Sequence, residues 1–317
     1  MSAVEASADS FPSSKAAEAS TLTVWTNLWI VYIVWGSTYL AIALMVETIP
    51  PLLGAGTRFI AVGVILLPFV AIRKGWRAIK PGRLELASAA FVGLMLPGAN
   101  AVISVAEQDV PSGTAALLVA SIPLWVILLR TLTGDRVTRS SLGAVLLGFA
   151  GVALVVKPEG GASIIGPLAC IGAALMWATG SFASPRIRLP RDPAVSVGWQ
   201  SLLGGMIVFG SGLIGGEGGD IHPGDWSARS VLGLVYLITF GSLLAYSSYT
   251  WLLQNAPISK VSTYAYVNPV VAIILGFLLN DESISSMALI GAVVIVASVA
   301  LVIRIESPAR ARRNPAS

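Results

Sequence analysis

Charged side chains in this chain are almost confined to the gaps between ten long apolar runs, and that spacing constrains the fold more than any other feature. The runs cover roughly residues 25–46, 51–72, 84–106, 110–131, 140–156, 164–185, 195–214, 229–253, 257–279 and 284–304. Most have the length of about 20 residues that a helix needs to cross a bilayer; 140–156 is short. A soluble domain carries about 25% charged residues to cover its core. This chain carries 11%, with 55% hydrophobic residues and a mean hydropathy of +0.81. Its main solvent is therefore lipid, and lipid permits only structures that satisfy every backbone polar group internally. The expected fold class is an all-α membrane protein with ten transmembrane helices.

The positions of Lys and Arg orient these helices. With the N-terminus placed in the cytoplasm, 17 of the 20 basic residues fall on the inner side, in Arg73–Arg83, Arg130–Arg139, Arg186–Arg191, at Lys15 and Lys260, and from Arg304 onward. The outer loops keep Lys157 and Arg229, and Arg58 lies within a span. Such a skew predicts ten spans with both termini cytoplasmic. It also accounts for the net charge of +4 as a topology signal and not a nucleic-acid face. Residues 1–24 are expected to form a disordered cytoplasmic tail and 305–317 a basic cytoplasmic tail. One cysteine, Cys170, and one histidine, His222, leave no material for a disulfide scaffold, a thiolate metal site or a His-based centre inside the membrane. No cofactor or metal is expected.

The chain also repeats. Shifted by 142 residues, Trp35-Gly36-Ser37-Thr38-Tyr39 falls on Trp177-Ala178-Thr179-Gly180-Ser181, Pro51 on Pro193 and Arg58 on Gln200. Shifted by 146, Pro111 falls on Pro257, Pro123 on Pro269 and Asp135 on Asp281. Two halves follow, 25–156 and 157–304. Five spans per half is an odd number, so the second half must cross in the opposite sense. This is the inverted-repeat arrangement by which transporters expose one central site to alternate sides.

Four stretches carry a family resemblance: WGSTYLAI on the first span, Pro51 to Arg58-Phe59 on the second, AEQDVPSGTAALLVASIPLW across the third and fourth, and NPVVAIILGFLLNDE on the ninth. They resemble the EamA branch of the drug/metabolite transporter superfamily, and AEQDVPSG is similar to its YedA-type exporters. The resemblance runs from about residue 25 to 304 as two EamA repeats. It implies a multi-pass bacterial inner-membrane protein that exports small metabolites or drugs, amino-acid-like or organic cations, and is not an enzyme. Its partners would be a small-molecule substrate and the lipid bilayer; a homodimer is left open. The second half departs from the pattern by replacing Ser-Thr-Tyr with Thr-Gly-Ser-Phe after Trp177.

Candidate site residues follow from polarity at membrane depth. Arg58 stands about 10 Å into its span at 1.5 Å per residue. A charge there needs protein, a wet cavity or a partner. It is read either as an anchor for a substrate anion or as a structural arginine held by helix carbonyls, Glu47 or headgroups. Trp35, Thr38, Tyr39, Asn100, Trp177, Gln200, Tyr246 and Asn268 complete the candidate substrate site. Tyr249, Tyr264 and Tyr266 belong to the same aromatic and amide group. Interface belts and packing account equally well for any one of these alone. Pro123 and Pro269, mid-span in equivalent positions, are candidate hinges. Glu107 is the acid nearest membrane depth and the candidate for proton coupling, against the plainer reading of a loop carboxylate. Uptake in place of export would use the same fold. An intramembrane enzyme acting on lipid-linked substrates would need paired carboxylates or a histidine centre at depth.

Overall fold

A computed structural model describes residues 21–135, 137–156, 163–256, 261 and 263–311. Among these the chain forms helices and no strand. In order they are α1 (Thr21–Val46), α2 (Pro51–Lys74), α3 (Arg83–Ala106), α4 (Ser112–Val119), α5 (Ile122–Leu132), α6 (Arg139–Val156), α7 (Ile165–Ala183), α8 (Pro193–Ile214), α9 (Ala228–Tyr236), α10 (Ala245–Asn255), α11 (Tyr264–Leu279) and α12 (Ser286–Ala311). A π-helical segment, Leu237–Leu244, joins α9 to α10 without a break.

Nine helical stretches among the described residues are long and apolar enough to cross a membrane, with 112–132 and 228–249 each counted as one. The tenth expected span, 257–279, is described as the shorter apolar helix α11; residues 257–260 and 262 lie outside the described residues. The expected tails fall mainly on residues 1–20 and 312–317, which are also outside them. Where the structure reaches into the tails it finds helix, since α1 starts at Thr21 and α12 runs on to Ala311. Large apolar side chains such as Ile72, Leu146 and Ile214 face outward, as lipid solvation allows.

Local sequence explains several helix ends. Pro51 and Pro193, repeat mates in sequence, are each the first residue of their helix, where the missing N–H is no loss. The carboxylate of Glu217 accepts from the Leu52 and Leu53 N–H groups at 3.1 and 2.9 Å, capping α2 from the other half of the chain. Asp192 accepts from Ala194 N at 2.9 Å to cap α8 and pairs with Lys74 at the end of α2. The hydrogen bond from Lys74 holds the Asp192 carboxyl below its usual range.

Packing between helices is symmetric under exchange of the halves. Matching α1 with α7, α2 with α8, α3 with α9–α10, α4–α5 with α11, and α6 with α12 maps several of the main interfaces onto one another, though α2/α3 has no counterpart of its size. The pairs α2/α8, α6/α12 and α4/α11 map onto themselves. The contacts of α3 with α7 answer those of α1 with α9 and α10, and α3/α8 answers the contact of α2 with the π segment. Likewise α1/α11 answers the contacts of α7 with α4 and α5. The α3/α8 crossing is the tightest: a β-carbon on Gly204 would stand 2.3 Å from the Gly93 carbonyl oxygen. Small residues let membrane helices meet backbone to backbone, and here that contact joins one half to the other.

Candidate functional site

A cavity lies at the junction of the halves, walled by α1, α2, α3, the α4–α5 break, α7, α8, the π segment, α10 and α11. All nine candidate substrate residues border it: Trp35, Thr38, Tyr39, Arg58, Asn100, Trp177, Gln200, Tyr246 and Asn268. They come from seven separate stretches of chain, so their meeting is a product of the fold.

The wall has two chemical poles. Arg58 forms the charged one. It is 5% exposed, too buried to reach lipid headgroups. Its Nε donates to Ser242 Oγ at 2.9 Å and its Nη1 to Asn100 Oδ1 at 3.3 Å. Its guanidinium also lies 4.9 Å from the centre of the Phe59 ring. Among the described residues no carboxylate stands within ion-pairing distance of it. Glu47, one of the structural partners considered for it, instead faces Arg229 at 3.8 Å. A buried cation held only by neutral oxygens is electrostatically incomplete.

Trp35 organises the second, aromatic pole. Its ring lies 5.0 Å from Tyr249, 5.3 Å from Tyr264 and 6.5 Å from Trp177, centre to centre. Its Nε1 donates to the Gly241 carbonyl at 3.1 Å, so the indole presents only apolar faces to the cavity. Gly241 lies in the π segment, and π segments recur at functional sites.

The hydroxyl-rich patch of α1 divides its work. Gly36 lets α11 close in; a β-carbon there would meet Val271 Cβ at 2.6 Å. The Ser37 hydroxyl donates to Val34 O at 2.8 Å and lies 2.6 Å from the Tyr236 hydroxyl. Thr38 donates to Trp35 O at 2.6 Å, so it borders the cavity with its hydroxyl turned onto its own helix. Gln200 donates to Ser196 Oγ at 2.8 Å. The Asn268 amide, oriented by its neighbours, donates to the Tyr32 and Tyr264 carbonyls.

Of the two candidate hinges, Pro269 lines the cavity inside the continuous helix α11. Pro123 lies outside the lining, just after a real interruption: α4 ends at Val119, Ala120 and Ser121 form a turn, and Pro123 sits in the first turn of α5. Glu107 is also outside the lining, at the C-terminal end of α3, and is buried. The sequence reading did not single out Ser242 or Gly241. Both sit in an apolar run, and the only sign of them there is a Gly-Ser pair at mid-span.

Comparison with known proteins places this geometry. The family model for the EamA-like transporter family matches residues 25–157 and again 164–304, one copy per half. The chain is similar to "Uncharacterized inner membrane transporter YedA" of Escherichia coli (strain K12), with 36% identity over 286 residues, 89% of this chain and 90% of that protein. It is 26% identical over 276 residues to a "Probable amino-acid metabolite efflux pump" of the same organism, covering 84% of this chain and 90% of that one. Protein PecM of Dickeya dadantii is 28% identical over 279 residues, covering 85% and 88%. A solved structure titled "Crystal structure of protein" shares the fold, with a TM-score of 0.61 at 21% identity over 94% of this chain and all of that one. Two copies of the family pattern, meeting at a cavity built from both, make this multi-pass membrane protein a member of the EamA-like transporter family.

Proposed function

We propose that this chain exports a small metabolite that carries a carboxylate and an apolar or aromatic body. The observation that carries this reading is Arg58, buried in the cavity wall and lacking an acid partner among the described residues. Its planar fork suits a carboxylate, and an anion would supply the charge the site lacks. Trp35, Tyr264 and Trp177 offer ring faces to the remainder of the ligand. An organic cation fits this cavity poorly, because Arg58 repels it and no acid lines the cavity among the described residues.

Movement follows from the two-fold relation. The matched packing of the halves supports an axis in the membrane plane, and the skew of Lys and Arg supports ten crossings with both termini on the cytoplasmic side. Exchange of conformations between the halves then exposes the cavity to one side and then the other. The efflux function in one relative's name supports the outward direction over uptake.

The test is transport of labelled amino acids, aromatic and aliphatic monocarboxylates, and organic cations into inverted membrane vesicles. A carboxylate-bearing substrate is expected to accumulate. Arg58→Gln should lower its apparent affinity by about 10- to 100-fold, the loss of hydrogen bonds to a charged group worth about 1.5–3 kcal/mol. Unchanged transport by Arg58→Gln, or accumulation of organic cations alone, sinks the reading.

A further inference from the structure

Glu107 occupies the connection between α3 and α4, one helical turn beyond the cavity-lining Ile103. It is 7% exposed, and neither carboxyl oxygen has a partner in ordinary hydrogen-bonding geometry. The groups that face it come from three other elements. They are the Tyr39 hydroxyl and the Ala43 backbone of α1, the Cys170 thiol of α7, and the Glu282 carboxyl just after α11. Asp109, on its own connection, is exposed. No basic side chain faces Glu107 among the described residues; the nearby Arg229 is engaged with Glu47 and Asn280.

Glu282 is the opposite case. One oxygen accepts from Ser112 Oγ at 2.9 Å and from Gly113 N at 3.2 Å, and the other from Asn280 Nδ2 at 3.2 Å. It therefore caps the N-terminus of α4 with its carboxylate oxygens. Two neighbouring carboxyls thus sit in unlike surroundings. One accepts from three donors, and the other is buried and repelled by the first.

We propose that Glu107 is a proton-binding site that couples closure of this end of the transporter to proton uptake. The assignment rests on reading the chain as a gated transporter, and proton binding itself is measurable without any substrate. With Glu107 buried as it is here, that burial, and then repulsion by Glu282, push its carboxyl well above its ordinary range. Opening would admit water and return it toward about 4.3. Closing at neutral pH therefore takes up one proton from the adjoining compartment, and opening gives it back. Closure is fully favoured below the open-state value and weakens as pH rises through the closed-state value. Tyr39 borders both Glu107 and the cavity, so ligand and proton are sensed one residue apart.

Infrared titration of the purified protein in lipid nanodiscs tests this directly. The wild-type minus Glu107→Gln difference spectrum should contain a protonated carboxyl band that survives well above the normal carboxylate range. Glu282→Gln should move its midpoint to lower pH. Hydrogen exchange of segment 107–114 should accelerate with pH beyond its intrinsic rise in wild type but not in Glu107→Gln, which mimics the neutral acid and should fold. Glu107→Asp should retain the pH response. A band that titrates in the ordinary range overturns the proposal, as does identical exchange in wild type and Glu107→Gln. Discharge of the band by sodium at fixed pH, with choline inert, would assign the site to a metal cation instead. Failure of the carboxylate-transport test leaves all of these readouts intact.

Discussion

Placing Arg58 in the membrane interior costs about 2.5–3.5 kcal/mol on insertion scales, and the fold returns only two neutral acceptors for it. Such a residue is retained for what it does once a ligand arrives. Its two partners predict how the site degrades. Ser242→Ala removes the acceptor of Nε and should weaken substrate binding by about 10-fold, near the low end for a hydrogen bond to a charged group. Thr38→Val, in the same wall, should leave affinity unchanged and lower only thermal stability, by about 1 kcal/mol, because its hydroxyl serves the Trp35 carbonyl. Ligand-dependent thermal shifts of both variants check the pair. The contrast also shows what sequence could and could not reveal. Charge and polarity at depth were enough to gather Arg58, Asn100 and the aromatic residues into one cavity. The direction of a hydroxyl was not legible, because serine and threonine in apolar helices usually bond back onto their own turn, as Thr38 and Ser247 do. Ser242, in the π segment, instead accepts from Arg58 on another helix.

At the level of elements, two prolines that look equivalent in sequence behave differently. Pro123 follows a break in which Ser121 N bonds to Leu118 O and Ser121 Oγ returns to the same carbonyl. Pro269 is carried inside an unbroken helix. Periodicity and composition were blind to this difference, as they were to the π segment, because each run is uniformly apolar around its circumference. The close crossings are more predictable in their consequences. Gly204→Ala would drive a methyl group against the Gly93 carbonyl oxygen at 2.3 Å, and backbone cannot yield as a side chain does. It should cost about 1–3 kcal/mol, the usual penalty for overpacking. Gly210→Ala on the same helix meets nothing within 4 Å and should be neutral or stabilising. Thermal unfolding of both variants in detergent separates them.

For the whole molecule, alternation of apolar and basic segments carried most of the architecture, and repetition carried its division into halves. What it could not supply was the pairing of helices, since lipid-facing and protein-facing sides are equally apolar. Topology is open to a direct check. Reporters active only in the cytoplasm should work when fused at either terminus or in the 75–82 loop, and fail in the 215–227 loop. The reverse pattern would invert the proposed orientation. The glycine crossing has one more consequence, for biogenesis. Helix α3 leaves the ribosome long before α8 has been synthesised, yet its Gly93 surface is completed only by Gly204. If spans insert first and associate afterwards, the nascent first half waits in the bilayer with its best contact surface unfilled. In that interval it is open to capture by an insertase or a quality-control protease.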